Sequence, residues 1–134
     1  MAILLMPPPT DRAGYIESEV EAGRVFSGSA ALFDESRARR EAERAFERGL
    51  SPAGTARQLA AILASGSRKE ALKSVTVPAL VIHGDADPLM PVEGGIDTAG
   101  TIPGAELLIV EGMGHDLPPP VWPRVIEAIV RHAV

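Results

Sequence analysis

The sequence predicts an α/β fold, with a helical first half followed by a β-α-β-α tail built on two parallel strands. Three observations carry this. Apolar residues recur at helical spacing through the first half, two short apolar runs bounded by turn formers lie in the second, and an amphipathic stripe closes the chain.

The elements follow in order. Thr10 or Asp11 caps a first helix through Tyr15, Ile16 and Val20. A second helix runs from about Asp34 to Arg48. Asp34 and Glu35 stand in its first turn, where the helix dipole favours acids, Ala42, Ala45 and Phe46 line one face, and Glu35 pairs with Arg39. Gly49 stops it. Ser51-Pro52 starts a third helix as N-cap and first helical residue, and Ala56, Leu59, Ala60 and Leu63 fall at i, i+3, i+4 and i+7. Gly66 ends that helix, and Arg68–Lys73 makes one further turn or two. Pro78–Gly84 is an apolar run between breakers, as a buried parallel strand reads. A helix from about Pro91 to Thr101 and a second buried strand over Ala105–Val110 come next. Trp122, Val125, Ile126, Ile129 and Val130 mark the last helix. Such a strand-helix-strand unit forms a right-handed crossover. Two strands alone leave both sheet edges open, so the tail reads as part of a larger sheet or as a chain that completes its sheet with a partner.

Composition narrows the function. The 134 residues amount to one domain at most, 46% of them are apolar, and the net charge is −5. An acidic chain with 4% aromatics is not built for a nucleic-acid backbone or for base stacking. The absence of cysteine removes disulfides, thiolate metal sites and a cysteine nucleophile. The apolar run Met1–Met6 is too short for a secretory signal, and no stretch approaches the ~20 apolar residues of a membrane span. A cytoplasmic location with no membrane partner is the expectation. The Met1–Met6 run reads as a segment that packs on further core.

Chemistry concentrates at His83-Gly84-Asp85-Ala86-Asp87 and at Gly112-Met113-Gly114-His115. Asp87 follows the end of the first strand and His115 the end of the second. Catalytic groups gather at the carboxyl ends of parallel strands, and neighbouring strands lie ~4.8 Å apart. An aspartate on one imidazole nitrogen fixes the tautomer and leaves the other nitrogen to take a proton from a hydroxyl. The two glycines permit the tight turn that presents His115. Asp85 is the competing acid. His83, at the strand end, reads as an imidazole bonded to backbone, and His132 suits the C-terminal end of the last helix. His83, Asp85, Asp87 and His115 are also a conceivable set of N/O metal ligands, but their spacing matches no metal motif, so no metal is expected.

These residues resemble the α/β-hydrolase fold family. The pattern is a strand, His-Gly-x-x-Asp with a proline four residues on (Pro91), then helix, strand, Gly-x-Gly-His and a last helix, and it runs from about Val77 to the end. The resemblance implies Asp87 as triad acid and His115 as triad base, with no cofactor. It implies a helical cap or lid over residues 1–74 and the C-terminal part of the hydrolase core over 75–134. Pro7–Pro9 with Thr10–Ile16, and Gly114-His115-Asp116-Leu117-Pro118, more narrowly resemble bacterial esterases similar to aclacinomycin methylesterase.

The departure is the nucleophile. Family members place a serine in Gly-x-Ser-x-Gly between a strand and a helix, ahead of the acid and the base. No such motif occurs here. Gly49-Leu50-Ser51-Pro52-Ala53 is the nearest, but a helix precedes Ser51, and Pro52 makes it an ordinary helix start. Ser27 and Ser29 lack both the flanking glycines and a preceding strand. The resemblance therefore describes an incomplete, truncated α/β-hydrolase fold. Two expectations follow. The chain is part of a serine hydrolase of small-molecule carboxylic esters, inactive until an N-terminal half supplies the serine. Alternatively, it is a non-catalytic fragment that forms a homo-oligomer or binds a partner chain.

Overall fold

The computed structural model describes residues 9–133. Among the described residues, the six helices and two strands are α1 (Arg12–Phe26), α2 (Glu35–Arg48), α3 (Pro52–Ser65), the single turn α4 (Lys69–Leu72), β1 (Leu80–Gly84), α5 (Val92–Thr101), β2 (Glu106–Val110) and α6 (Trp122–His132). Short 3-10 turns occupy Ala30–Leu32 and Pro119–Val121. The fold is α/β with one parallel two-stranded sheet. The Met1–Met6 segment lies outside the described residues. Packing divides the chain into two units. One takes in the chain up to Gly23 together with Asp34–Arg68, the other Arg24–Phe33 together with the chain from Lys69 onward.

In the first unit, Asp11 caps α1 by accepting from the Gly14 N–H at 2.8 Å. The spacing of Tyr15, Ile16 and Val20 puts all three on one face, and all three are buried. Tyr15 packs on Phe46 of α2 with ring centroids 5.6 Å apart, and Ala42 is buried. Asp34 is the N-cap of α2, one residue ahead of its first turn. Its side chain accepts from the Arg37 N–H at 2.9 Å. Ser51 occupies the N-cap of α3 without a side-chain capping bond. The apolar stripe of α3 is not covered among the described residues, and Leu63 is 75% exposed. Spacing identified the helix but says nothing about what lies on its apolar face.

In the second unit, β1 and β2 pair in register from Leu80 with Glu106 to Gly84 with Val110. Alternation along the strands sends Ile82, Leu108 and Val110 to one face. There Val110 forms the core with Met113, Val121 and Val125, and Ile82, Leu108 and Leu32 pack against it. His83 points to the opposite face, onto Gly95 of α5. Helices thus lie on both faces of the sheet, as parallel strands require. The expectation of buried strands is corrected in degree. Both strands are only partly covered, and Leu107 is exposed, because no flanking strand closes either edge among the described residues. α6 buries Val125 and Ala128 and leaves Trp122, Ile126, Ile129 and Val130 exposed.

Candidate active site

The site lies at the carboxyl ends of β1 and β2. Gly84 ends β1 where the loop after β2 crosses it. A Cβ on Gly84 would sit 2.0 Å from the Met113 carbonyl oxygen, so only glycine lets the two chains approach this closely. That approach ties the loops together. The Ala86 N–H donates to the Met113 carbonyl at 3.1 Å and the Asp85 N–H to the Val110 carbonyl at 3.3 Å.

Asp87 and His115 meet across this junction. Asp87 Oδ2 lies 2.9 Å from His115 Nδ1. Asp87 Oδ1 accepts from the Leu89 N–H at 2.8 Å and the Met90 N–H at 2.9 Å, an Asx-type turn that sets the side chain's direction. Burial pushes the Asp87 carboxyl up, but the N–H groups of Met90, His115 and Leu89 outweigh it and hold it below the ordinary aspartate value. Asp87 is therefore an ionised acceptor at neutral pH. The hydrogen-bond network then assigns the His115 proton to Nδ1 and the lone pair to Nε2. The Asp87 side chain is 5% exposed and that of His115 45%, so the carboxylate is shielded while the imidazole faces outward.

The remaining candidates have other partners. Asp85 does not reach His115; its Oδ1 accepts from the Gly112 N–H at 2.7 Å and holds the start of the His115 turn. His83 Nε2 lies 2.9 Å from the Met90 carbonyl oxygen, a backbone bond. His132 Nδ1 lies 3.1 Å from Glu106 Oε1 in the last turn of α6. Among the described residues no group of His, Asp and Glu is arranged to hold a metal ion.

The structure adds residues that sequence reasoning missed. The segment from Phe26 to Ser29 clamps the His115 turn through main-chain bonds. The His115 N–H donates to the Phe26 carbonyl at 2.7 Å, the Gly114 N–H to that of Ser27 at 3.0 Å, and the Ser29 N–H to that of Gly112 at 2.9 Å. Gly28 forms an antiparallel bridge with Met113. The Phe26 ring meets the His115 imidazole edge-on at 6.3 Å between centroids. Of the two glycines before His115, only Gly112 adopts positive φ. Gly114 serves close approach, since a Cβ there would lie 2.1 Å from the Phe26 carbonyl oxygen. The sequence signals for this clamp were Gly28, between two serines, and Gly114.

A carboxylate and an imidazole thus meet at the ends of adjacent parallel strands, and comparison with known proteins places this arrangement among related chains. A family model described as TAP-like protein matches residues 56–120. The chain is 33% identical to rhodomycin D methylesterase DnrP of Streptomyces peucetius over 98% of its own length and 44% of that protein. In structure it resembles a bromoperoxidase from Bacillus anthracis, with TM-score 0.71, 27% identity and coverage of 88% of this chain and 43% of that one. It shares the fold of an esterase from Rhodococcus sp. ECU1013, with TM-score 0.70, 18% identity and coverage of 98% and 46%. In sequence and structure the chain matches the C-terminal part of α/β-hydrolases. It spans less than half the length of each of these relatives. No helix among the described residues is long and apolar enough to cross a membrane.

Proposed function

We propose that Asp87 and His115 are the acid and base of a serine hydrolase acting on small carboxylic esters. The observation that carries this is the 2.9 Å contact between a buried aspartate and the Nδ1 of a half-exposed histidine. It leaves Nε2 as the proton acceptor. His115 would take the proton of a serine hydroxyl as the serine oxygen attacks the ester carbonyl. The alcohol leaves with that proton, and water activated the same way clears the acyl-enzyme. Asp87 stabilises the imidazolium in each half-reaction. The relatives named as methylesterases support an ester, and within that class a methyl ester.

No Gly-x-Ser-x-Gly occurs within these 134 residues. In this reading the nucleophile and the oxyanion hole come from polypeptide other than residues 1–134, and residues 1–74 are the cap segment of the fold. A cytoplasmic setting goes with this reading. The test uses a fluorophosphonate probe and an ester substrate, with and without the N-terminal half of a methylesterase relative. The chain alone gives no labelled serine. The mixture hydrolyses ester, and His115→Ala abolishes the activity. Labelling of a serine in the isolated chain, or hydrolysis by the mixture that survives His115→Ala, refutes the proposal.

A second reading rests on a separate observation. The sheet has two strands, and α6 exposes Trp122, Ile126, Ile129 and Val130 on one stripe. Apolar residues gathered on one exposed face mark an interaction surface. The chain is then a non-catalytic module that self-associates or binds a partner chain. A cooperatively melting monomer at micromolar concentration counts against this reading.

A further inference from the structure

His83 stands beside the Asp87–His115 pair with its side chain 15% exposed, and proton transfer through His115 does not use it. A carbonyl oxygen can only accept, so the 2.9 Å contact with Met90 requires the proton on His83 Nε2. Both ends of Met90 are therefore held. Its N–H donates to Asp87 Oδ1 and its carbonyl accepts from His83. The same His83 nitrogen lies 4.0 Å from Asp87 Oδ2, the oxygen that receives His115. On the other side α5 packs closely against His83 at Gly95. A Cβ on Gly95 would come within 2.8 Å of His83 Cβ, Cγ and Nδ1, so Gly95 leaves the ring just enough space.

We propose that His83 is a positioning residue for Asp87, acting through the main chain of Met90. It locks the turn whose N–H groups orient the Asp87 carboxylate toward His115. The arrangement deepens the acid–base reading above and rests on it. A free carboxylate on a loop has several rotamers. Here two backbone donors choose one of them, and His83 holds the carbonyl of Met90, the residue that supplies one of those donors.

The test is NMR of the 15N-labelled chain, reading the imidazole tautomers and the Leu89 and Met90 amide protons. In the unsubstituted chain His83 carries its proton on Nε2; an Nδ1–H tautomer there overturns the proposal. His83→Leu removes the donor. It moves the Leu89 and Met90 amide resonances upfield and costs His115 most of its Nδ1–H population. His83→Gln restores a donor to the Met90 carbonyl and rescues both signals, which a purely space-filling role would not predict. Resonances of β1 and β2 report that the sheet is intact. Gly95→Ala, which displaces the ring while keeping His83, reproduces the His83→Leu pattern even where that variant fails to fold. Unchanged Leu89, Met90 and His115 signals in His83→Leu overturn the proposal. Asp87→Asn separates it from the reading beneath. If that variant leaves the His115 tautomer unchanged, the acid–base pairing is wrong, while the two amides still decide whether His83 holds the turn.

Discussion

Gly28→Ala examines the clamp that places His115. Gly28 has φ +79, and a Cβ there would lie 2.6 Å from the Gly114 nitrogen and 2.7 Å from the Gly112 carbonyl oxygen. Holding alanine in the left-handed region costs about 1 kcal/mol. The neighbouring atoms are backbone and must retreat by several tenths of an ångström. That stretches the bonds from the Gly114 N–H to the Ser27 carbonyl and from the Ser29 N–H to the Gly112 carbonyl, each worth about 1 kcal/mol. The expected loss is about 3 kcal/mol. Gly104→Ala is the matched control in the same unit, with φ +74 and nothing within 4 Å of its Cβ. It carries only the conformational term, about 1 kcal/mol. The difference of about 2 kcal/mol is on the order of 30-fold in the folding equilibrium. Urea unfolding followed by the single tryptophan, Trp122, reads the unit that holds the clamp. At an m-value of about 1.5 kcal/mol per molar, the midpoints fall by about 2 M and about 0.7 M. Equal losses in the two variants would refute the argument that close main-chain packing, and not backbone conformation alone, requires glycine at position 28.

Other consequences follow from the same geometry. Asp87→Asn keeps an acceptor for the Leu89 and Met90 N–H groups but turns an N–H toward His115, forcing the imidazole into the wrong tautomer; kcat of the reconstituted esterase should fall by about 10⁴. Asp85→Ala removes the acceptor for the Gly112 N–H and should cost about 1 kcal/mol by urea unfolding while leaving the His115 tautomer intact. The Asp87 carboxyl is held below its ordinary value, so its contribution to stability is complete above the unfolded-state pKa and is lost as pH falls through the lower native one. Acid unfolding below about pH 4 should be shallower in Asp87→Asn. Ile126→Glu with Val130→Glu places charge on the exposed stripe of α6 and should abolish any self-association seen by sedimentation, with little change in stability.

The secondary structure was legible where local chemistry decides it. Pro78 and Gly84 bracket β1, and the run ending at Val110 is β2, trimmed by one residue at its start. Helix starts followed capping residues, with Asp11 and Asp34 bonding as such residues do. Ser51 holds its N-cap position without the bond, because position follows from chain direction while the bond depends on the rotamer. Burial was less legible. Leu59, Ile62 and Leu63 fall on one face of α3 yet are exposed, and β1 and β2 are only half covered. Periodicity states which side of an element is apolar. It does not state what other polypeptide, if any, lies against that side.

The pairing of Asp87 with His115 could be read from the sequence because it depends on side chains at the ends of two strands whose spacing the backbone dictates. The choice between Asp85 and Asp87 could not be read from spacing alone. Both leave the same strand end, and they differ in which loop N–H each one meets. Asp85 accepts from Gly112, on the His115 turn, and Asp87 accepts from Leu89 and Met90, on its own loop. The clamp from Phe26 to Ser29 was hidden for a deeper reason. It is made by main-chain N–H and carbonyl groups, which every residue except proline carries, so composition and spacing leave almost no mark of it. Its trace lies in what must be absent: side chains at Gly28 and Gly114, where a Cβ would come within 2.6 Å of another stretch of backbone, as one on Gly84 would where β1 meets the same turn. Two chain segments thus converge on the turn that carries His115, and the placement of the imidazole depends on glycine at each crossing.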